Sequence, residues 1–215
     1  QAKRDWDKTS EEENPYENLP QLNLFTYKMS DIVREKVEQG ADFDDDGQKE
    51  AYCFDLNEFF ETNSNGKFVH EDAVDKFLDA LTVQEKFPFS TEELRNELKH
   101  TLWLLKYVNS AKALAKKLKE HPVFKNYEIV LAAGDGRLDN EGETENIYTA
   151  DESVKTSYGK VVNAIKNYDK TITLSVGQLT TGITIPEWTA VMMLSNMESP
   201  ALYMQAAFRA QNPCM

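Results

Sequence analysis

From residue 100 onward, uninterrupted apolar runs alternate with amphipathic stretches. The runs TLWLLKYV, YEIVLAAG, KTITLSVG and WTAVMMLSN show no polar alternation, the pattern of strands buried on both faces. Between them, SAKALAKKLKEH reads as a helix capped by Ser110, and YGKVVNAIKNY as a second helix. SPALYMQAAFRAQ closes the series as a helix with Ser199 as its N-cap and Pro200 at its first position. Buried strands alternating with helices predict an α/β fold, a mostly parallel sheet flanked by helices.

The first hundred residues are patterned differently. LNLFTYKM, Leu22 to Met29, predicts a strand, and SDIVREKVEQG a short helix with Ser30 as cap and Gly40 as stop. LNEFFETN predicts another helix around Leu56 to Phe60, and HEDAVDKFLDALTVQ a longer one with Val74, Phe77, Leu78 and Leu81 at helical spacing. The organisation expected is a polar lead-in over 1–18, a mostly helical acidic subdomain or insertion over 19–99, and an α/β unit over 100–215.

Charge sharpens this division. The chain of 215 residues carries a net charge of −13, and all of the excess lies in residues 1–100, with 25 Asp/Glu against 12 Lys/Arg; residues 101–215 carry 12 of each. The acidic half is not the side to set against phosphates. No run approaches the roughly 18 to 20 apolar residues needed to span a bilayer, so no membrane partner is expected. Lacking an initiator Met and ending soon after a helical pattern, the chain is expected to be a fragment of a longer cytoplasmic protein. Cys53 and Cys214 match no metal spacing and read as reduced thiols.

Three features imitate sites and fall short of them. DFDDDGQKEAYC places Asp42, Asp44, Asp46 and Gly47 as a calcium loop does, but Cys53 stands where the bidentate Glu belongs and Lys49 where an apolar residue is usual. LAAGDGR lacks the spacing and the Lys-Ser/Thr of a phosphate-binding loop. His70, His100 and His121 show no ligand spacing, and no metal site is expected.

The chemistry is expected beyond the carboxyl ends of the strands, where ligands bind in open parallel sheets. The stretch LSVGQLTTGITIPEW ends a strand there, and Thr180, Thr181, Gly182 and Thr184 offer hydroxyls and close backbone approach to phosphate oxygens. In YMQAAFRAQ, Gln205 and Arg209 are four apart and share a helix face, with a guanidinium suited to bidentate contact with a phosphoryl group.

In order and spacing, VGQLTTGITIPEWTAVMMLSNMESPALYMQAAFRAQNP resembles motifs V and VI of superfamily two helicases, most closely the motor subunits of type I and type III restriction enzymes and related restriction helicases. HTLWLLKYVNSAKALAKKLKEH similarly resembles motif IV and its helix, with Ser110 and Ala111 at the helix start. The resemblance covers roughly residues 100 to 213 and implies a second RecA-like motor domain. It implies that Arg209 is an arginine finger for the γ-phosphate of ATP and that Gln205 organises the same interface. Gly182 and Thr184 are implied at the nucleotide. Thr180 and Thr181, with Ser110, are implied at the DNA strand, or in coupling that strand to the nucleotide. ATP and Mg²⁺ would be held mainly by a first RecA-like domain outside this chain.

Three positions depart from the family pattern: Thr184 replaces an Asp, Phe208 a glycine, and Asn212 the second arginine of motif VI. The resulting expectation is the C-terminal motor half of an ATP-dependent DNA helicase or translocase in a restriction-modification or related defence system. Its partners would be DNA, the first motor domain and restriction or modification subunits. The full-length protein would hydrolyse ATP, and this fragment alone would not. The competing expectation is an acidic protein-interaction module on an inactive RecA-like scaffold.

Overall fold

The structure, a computed structural model, describes residues 22–26, 55–132, 150–176 and 184–211. Within these, helix α1 (Leu56–Phe59), α2 (Glu71–Val83) and α3 (Glu92–Glu97) precede strand β1 (His100–Leu105) and helix α4 (Val108–Glu120). A 3-10 turn at Phe124–Asn126 leads into β2 (Glu128–Ala132); then come α5 (Ala150–Asn167), β3 (Thr171–Val176) and β4 (Ala190–Met193). Helix α6 (Pro200–Ala207) passes directly into a 3-10 turn at Phe208–Ala210.

The protein is α/β, with a four-stranded, all-parallel sheet in the order β2-β3-β1-β4. β1 and β3 are central, and their buried side chains alternate between two cores. On one face Trp103, Leu105, Ile129, Ile172 and Leu174 pack with Ala111, Leu114 and Leu118 of α4. On the other, Leu102, Leu104, Val130 and Ala132 pack with Val161 and Ala164 of α5 and Ala206 of α6. β4 lies at one edge of the described sheet, and its residues are only half-buried although AVMM reads as a fully buried run.

The first core continues into α1, α2 and the segments around Phe68 and Phe89. α2 forms because Val74, Phe77, Leu78 and Leu81 stack on one side, and Glu71 and Asp72 suit the positive end of its dipole. α3 starts where the Thr91 hydroxyl accepts from the Leu94 amide at 3.2 Å. Phe59, Phe60, Phe68, Phe77 and Phe89 belong to the same cluster as Trp103 and Leu174. The Phe89 ring lies edge-on to Phe124 with centroids 5.1 Å apart, and 5.8 Å from Trp103. At about 1.5–3 kcal/mol per buried aromatic, these rings contribute as much as a typical domain's net stability of about 5–15 kcal/mol. The boundary read at residues 99/100 therefore crosses a shared core, and in packing residues 55–98 belong with the sheet.

Other expectations need correction. Ser110 is not the cap of α4: the helix starts at Val108 with Tyr107 as N-cap, and Ser110 lies buried inside its first turn. Leu22–Thr26 carries no regular structure, and Leu24 and Phe25 are exposed there, so the strand read from LNLFTYKM does not form over these residues. Ser199 does cap α6, its hydroxyl accepting from the Leu202 amide at 3.4 Å, with Pro200 next. The α-helix ends at Ala207, however, and Arg209 lies in the 3-10 turn, so Gln205 and Arg209 do not share one face of a continuous α-helix. The acidic loop at 42–53, the glycine-containing turn after Ala132, and both cysteines lie outside the described residues.

Candidate functional site

At the carboxyl edge of the sheet, Leu105 of β1 pairs with Val176, the last residue of β3. From here the two connections part. The chain after β1 enters α4, which covers the Trp103 face. The chain after β3 reappears at Thr184 and buries Ile185 and Trp188 against Leu102, Leu104 and Val130 on the other face. Neighbouring parallel strands whose connections leave on opposite faces form a topological switch point, with a crevice between their loops. Lys106 and Tyr107, which follow β1 at this edge, are exposed.

Thr180, Thr181 and Gly182 lie within 177–183, outside the described residues, and Asn212 is likewise outside. Val176 ends the central strand, and Thr184 is exposed just before the buried anchors Ile185 and Trp188. The Trp188 amide donates to the Ile185 carbonyl at 3.3 Å, closing a turn over Pro186 and Glu187. The Trp188 indole is buried in the second core as an apolar anchor, and among the described residues its Nε1 has no hydrogen-bond partner. Thr189 then donates from its amide to the His100 carbonyl at 2.9 Å, which brings the chain back to the amino edge to start β4.

The carboxyl edge is buttressed by α1. The Ser110 hydroxyl donates to the Phe60 carbonyl at the end of α1. At the start of α1, Asn196, three residues past β4, donates from Nδ2 to Asp55 Oδ1 at 2.9 Å and from its amide to Asn57 Oδ1 at 3.2 Å. Its Oδ1 accepts from the Leu56 amide at 3.4 Å, and Asp55 caps α1 by accepting from the Asn57 amide at 2.7 Å. One short helix thus ties the start of α4 to the segment that leads into α6. Sequence reasoning missed Asp55, Asn57 and Asn196; the Asp-Leu-Asn-Glu cap signature was readable, but its partner 141 residues away was not.

α6 buries only Ala206 and Ala207, leaving Gln205 exposed and Arg209 partly exposed, with the Arg209 turn packed on β4. The structure thus sets the Arg209 turn against the edge strand, buries Ser110 away from solvent, and leaves Thr184 exposed just before the buried Ile185. The histidines lie elsewhere. His100 sits at the amino edge, where its Nδ1 shares a hydrogen bond with the Thr171 hydroxyl at 3.1 Å. Burial holds the His100 imidazole below its ordinary pKa, with Asp169 and Glu187 partly opposing. Among the described residues, no helix is long and apolar enough to cross a membrane.

No protein-family profile matches the chain. It is similar to a Mycoplasma pneumoniae protein provisionally named the C-terminus of a type II restriction enzyme and methyltransferase, at 26% identity over 211 residues. The match covers 92% of this chain, and so runs through both the acidic half and the sheet, but only 28% of that protein. The chain spans less than a third of the relative's length.

Proposed function

We propose that this chain is the second RecA-like domain of an ATP-dependent DNA helicase or translocase serving a restriction-modification system. The observation that carries the reading is the switch point between β1 and β3, with the Thr180-Thr181-Gly182 segment following the carboxyl end of β3. Two further supports are the helicase-like order of motifs and the similarity to a protein provisionally named a restriction enzyme and methyltransferase.

In this reading the backbone and hydroxyls of Thr180 and Thr181 engage the phosphates of a DNA strand, and Gly182 and exposed Thr184 lie toward the nucleotide. Arg209 extends its guanidinium to the γ-phosphate of an ATP held largely by a preceding motor domain, where bound Mg²⁺ neutralises charge between the phosphates. Gln205 orders the same interface. The buried anchors Ile185 and Trp188 join the Thr/Gly segment to the core beneath α6, so a shift at the DNA contact can be transmitted to the helix preceding Arg209.

The test is ATP hydrolysis by the full-length protein with and without double-stranded DNA, comparing wild type with Arg209→Ala. DNA-stimulated turnover that falls about 10³-fold or more in the variant is the result expected of a lost arginine finger. Wild-type protein that hydrolyses no ATP, or turnover indifferent to Arg209, overturns the reading.

A further inference from the structure

α4 carries four lysines that divide into two groups. Lys117 turns toward α2, where it meets Glu71 at 2.7 Å and Asp75 at 2.8 Å, and His121 just past the helix sits 3.3 Å from Asp79. Glu71 and Asp75 of α2 are thereby matched by Lys117. Lys112, Lys116 and Lys119 follow at spacings of four and three, which places them within an arc of about 60° on the opposite, solvent side. All three are exposed, and among the described residues none pairs with a carboxylate. Lys106, also exposed, stands at the head of α4 on the carboxyl edge.

Like charges at such spacing weaken a helix by a few tenths of a kcal/mol, and only Lys119, in the last turn, gains from the negative end of the helix dipole. In a chain of net charge −13 they also reduce the charge that keeps it soluble, so solubility does not account for the row. The row is complementary to an anionic ligand. The row is about 10 Å long at 1.5 Å per residue, and one strand of a duplex presents a phosphate about every 3.4 Å along its axis, so the row matches about three phosphates. It begins on the helix that leaves the β1 side of the switch point.

We propose that Lys112, Lys116 and Lys119 form a backbone-binding track for nucleic acid on the solvent side of α4, the helix that follows β1. The proposal rests on the reading that the chain works on DNA, and it adds a second, sequence-independent contact surface away from the motif residues.

The full-length protein is titrated with a duplex oligonucleotide, without ATP, between 50 and 200 mM salt. Replacing all three residues (Lys112→Gln, Lys116→Gln, Lys119→Gln) should lower the slope of log affinity against log salt by about 2.7, or about 0.9 per lost phosphate contact. Across that salt range the wild type then loses about 40-fold more affinity than the variant. The triple Lys→Arg variant should keep the wild-type slope, as should Lys166→Gln, an exposed lysine on α5. Thermal melts of every variant report whether the fold is kept, and the Lys→Arg set isolates charge from helix stability.

An unchanged slope in the Gln variant, a wild type that binds no DNA, or a slope that falls as far with Lys166→Gln overturns the track. So does a row that governs binding to anionic phospholipid vesicles but not to DNA. DNA-stimulated ATP hydrolysis is measured on the same samples. A reduced slope without any wild-type hydrolysis keeps the track and sinks the motor reading, and stimulated hydrolysis with an unchanged slope does the reverse.

Discussion

Ser110, buried in the first turn of α4, donates its hydroxyl to the carbonyl of Phe60, 50 residues earlier in the chain. The bond joins the last residue of the α1 turn to the helix that follows the central strand. Ser110→Ala removes the donor and leaves a buried carbonyl short of a partner. We expect a loss of about 1–3 kcal/mol in chemical denaturation. A variant as stable as wild type would show that the carbonyl finds another donor and that α1 is held by its phenylalanines alone.

The aromatic cluster makes a second prediction. Phe89 is buried between Phe124, Trp103 and Tyr127, with the last ring centroid at 5.9 Å. Phe89→Ala should destabilise by about 3–5 kcal/mol, because the surrounding rings cannot collapse fully into the space. If residues 55–98 and the sheet are one cooperative unit, tryptophan fluorescence and far-ultraviolet dichroism will report the same shifted transition. Two separate transitions, with only the first moved, would restore the boundary at 99/100.

These two contacts mark what was legible in the chain and what was not. The four strands were readable because each is a short apolar run bounded by polar or turn residues, and α2 because Val74, Phe77, Leu78 and Leu81 keep helical phase. Ser110 misled because serine near a helix start is usually a cap; here a carbonyl 50 residues away competes for its hydroxyl, and local pattern cannot express that. Leu22, Leu24 and Phe25 misled because apolar residues predict a strand only where a surface exists to bury them, and these are exposed. The switch point itself became visible only with the strand order, since periodicity says nothing about which strand lies beside which.

Protonation of His100 gives a third prediction. Burial holds its folded pKa below the ordinary value of 6.5, so the unfolded chain takes up the proton more readily. The sign follows: this contribution to stability is complete above pH 6.5 and drains away as pH falls from there toward the folded pKa. Melting temperature should therefore drop between pH 7.5 and 5.5. His100→Gln, which keeps a hydrogen-bonding group opposite Thr171, should flatten that part of the profile. An identical pH dependence in wild type and variant would assign the acid sensitivity to other groups.

The last prediction separates charge from geometry at Arg209 and rests on the motor reading. A guanidinium presents a planar fork to phosphate oxygens, whereas lysine offers a single compact charge on a flexible stem. A finger that acts on charge developing in the transition state contributes to kcat more than to KM. In the full-length protein, Arg209→Lys should therefore lower DNA-stimulated kcat by about 10²-fold or more, with KM for ATP changed far less, and Arg209→Ala should lower it further. If lysine restores wild-type turnover, a point charge suffices and the fork has no special part. If both variants mainly raise KM, Arg209 binds ground-state nucleotide, and the residue completing the transition state must be sought elsewhere in the full-length protein.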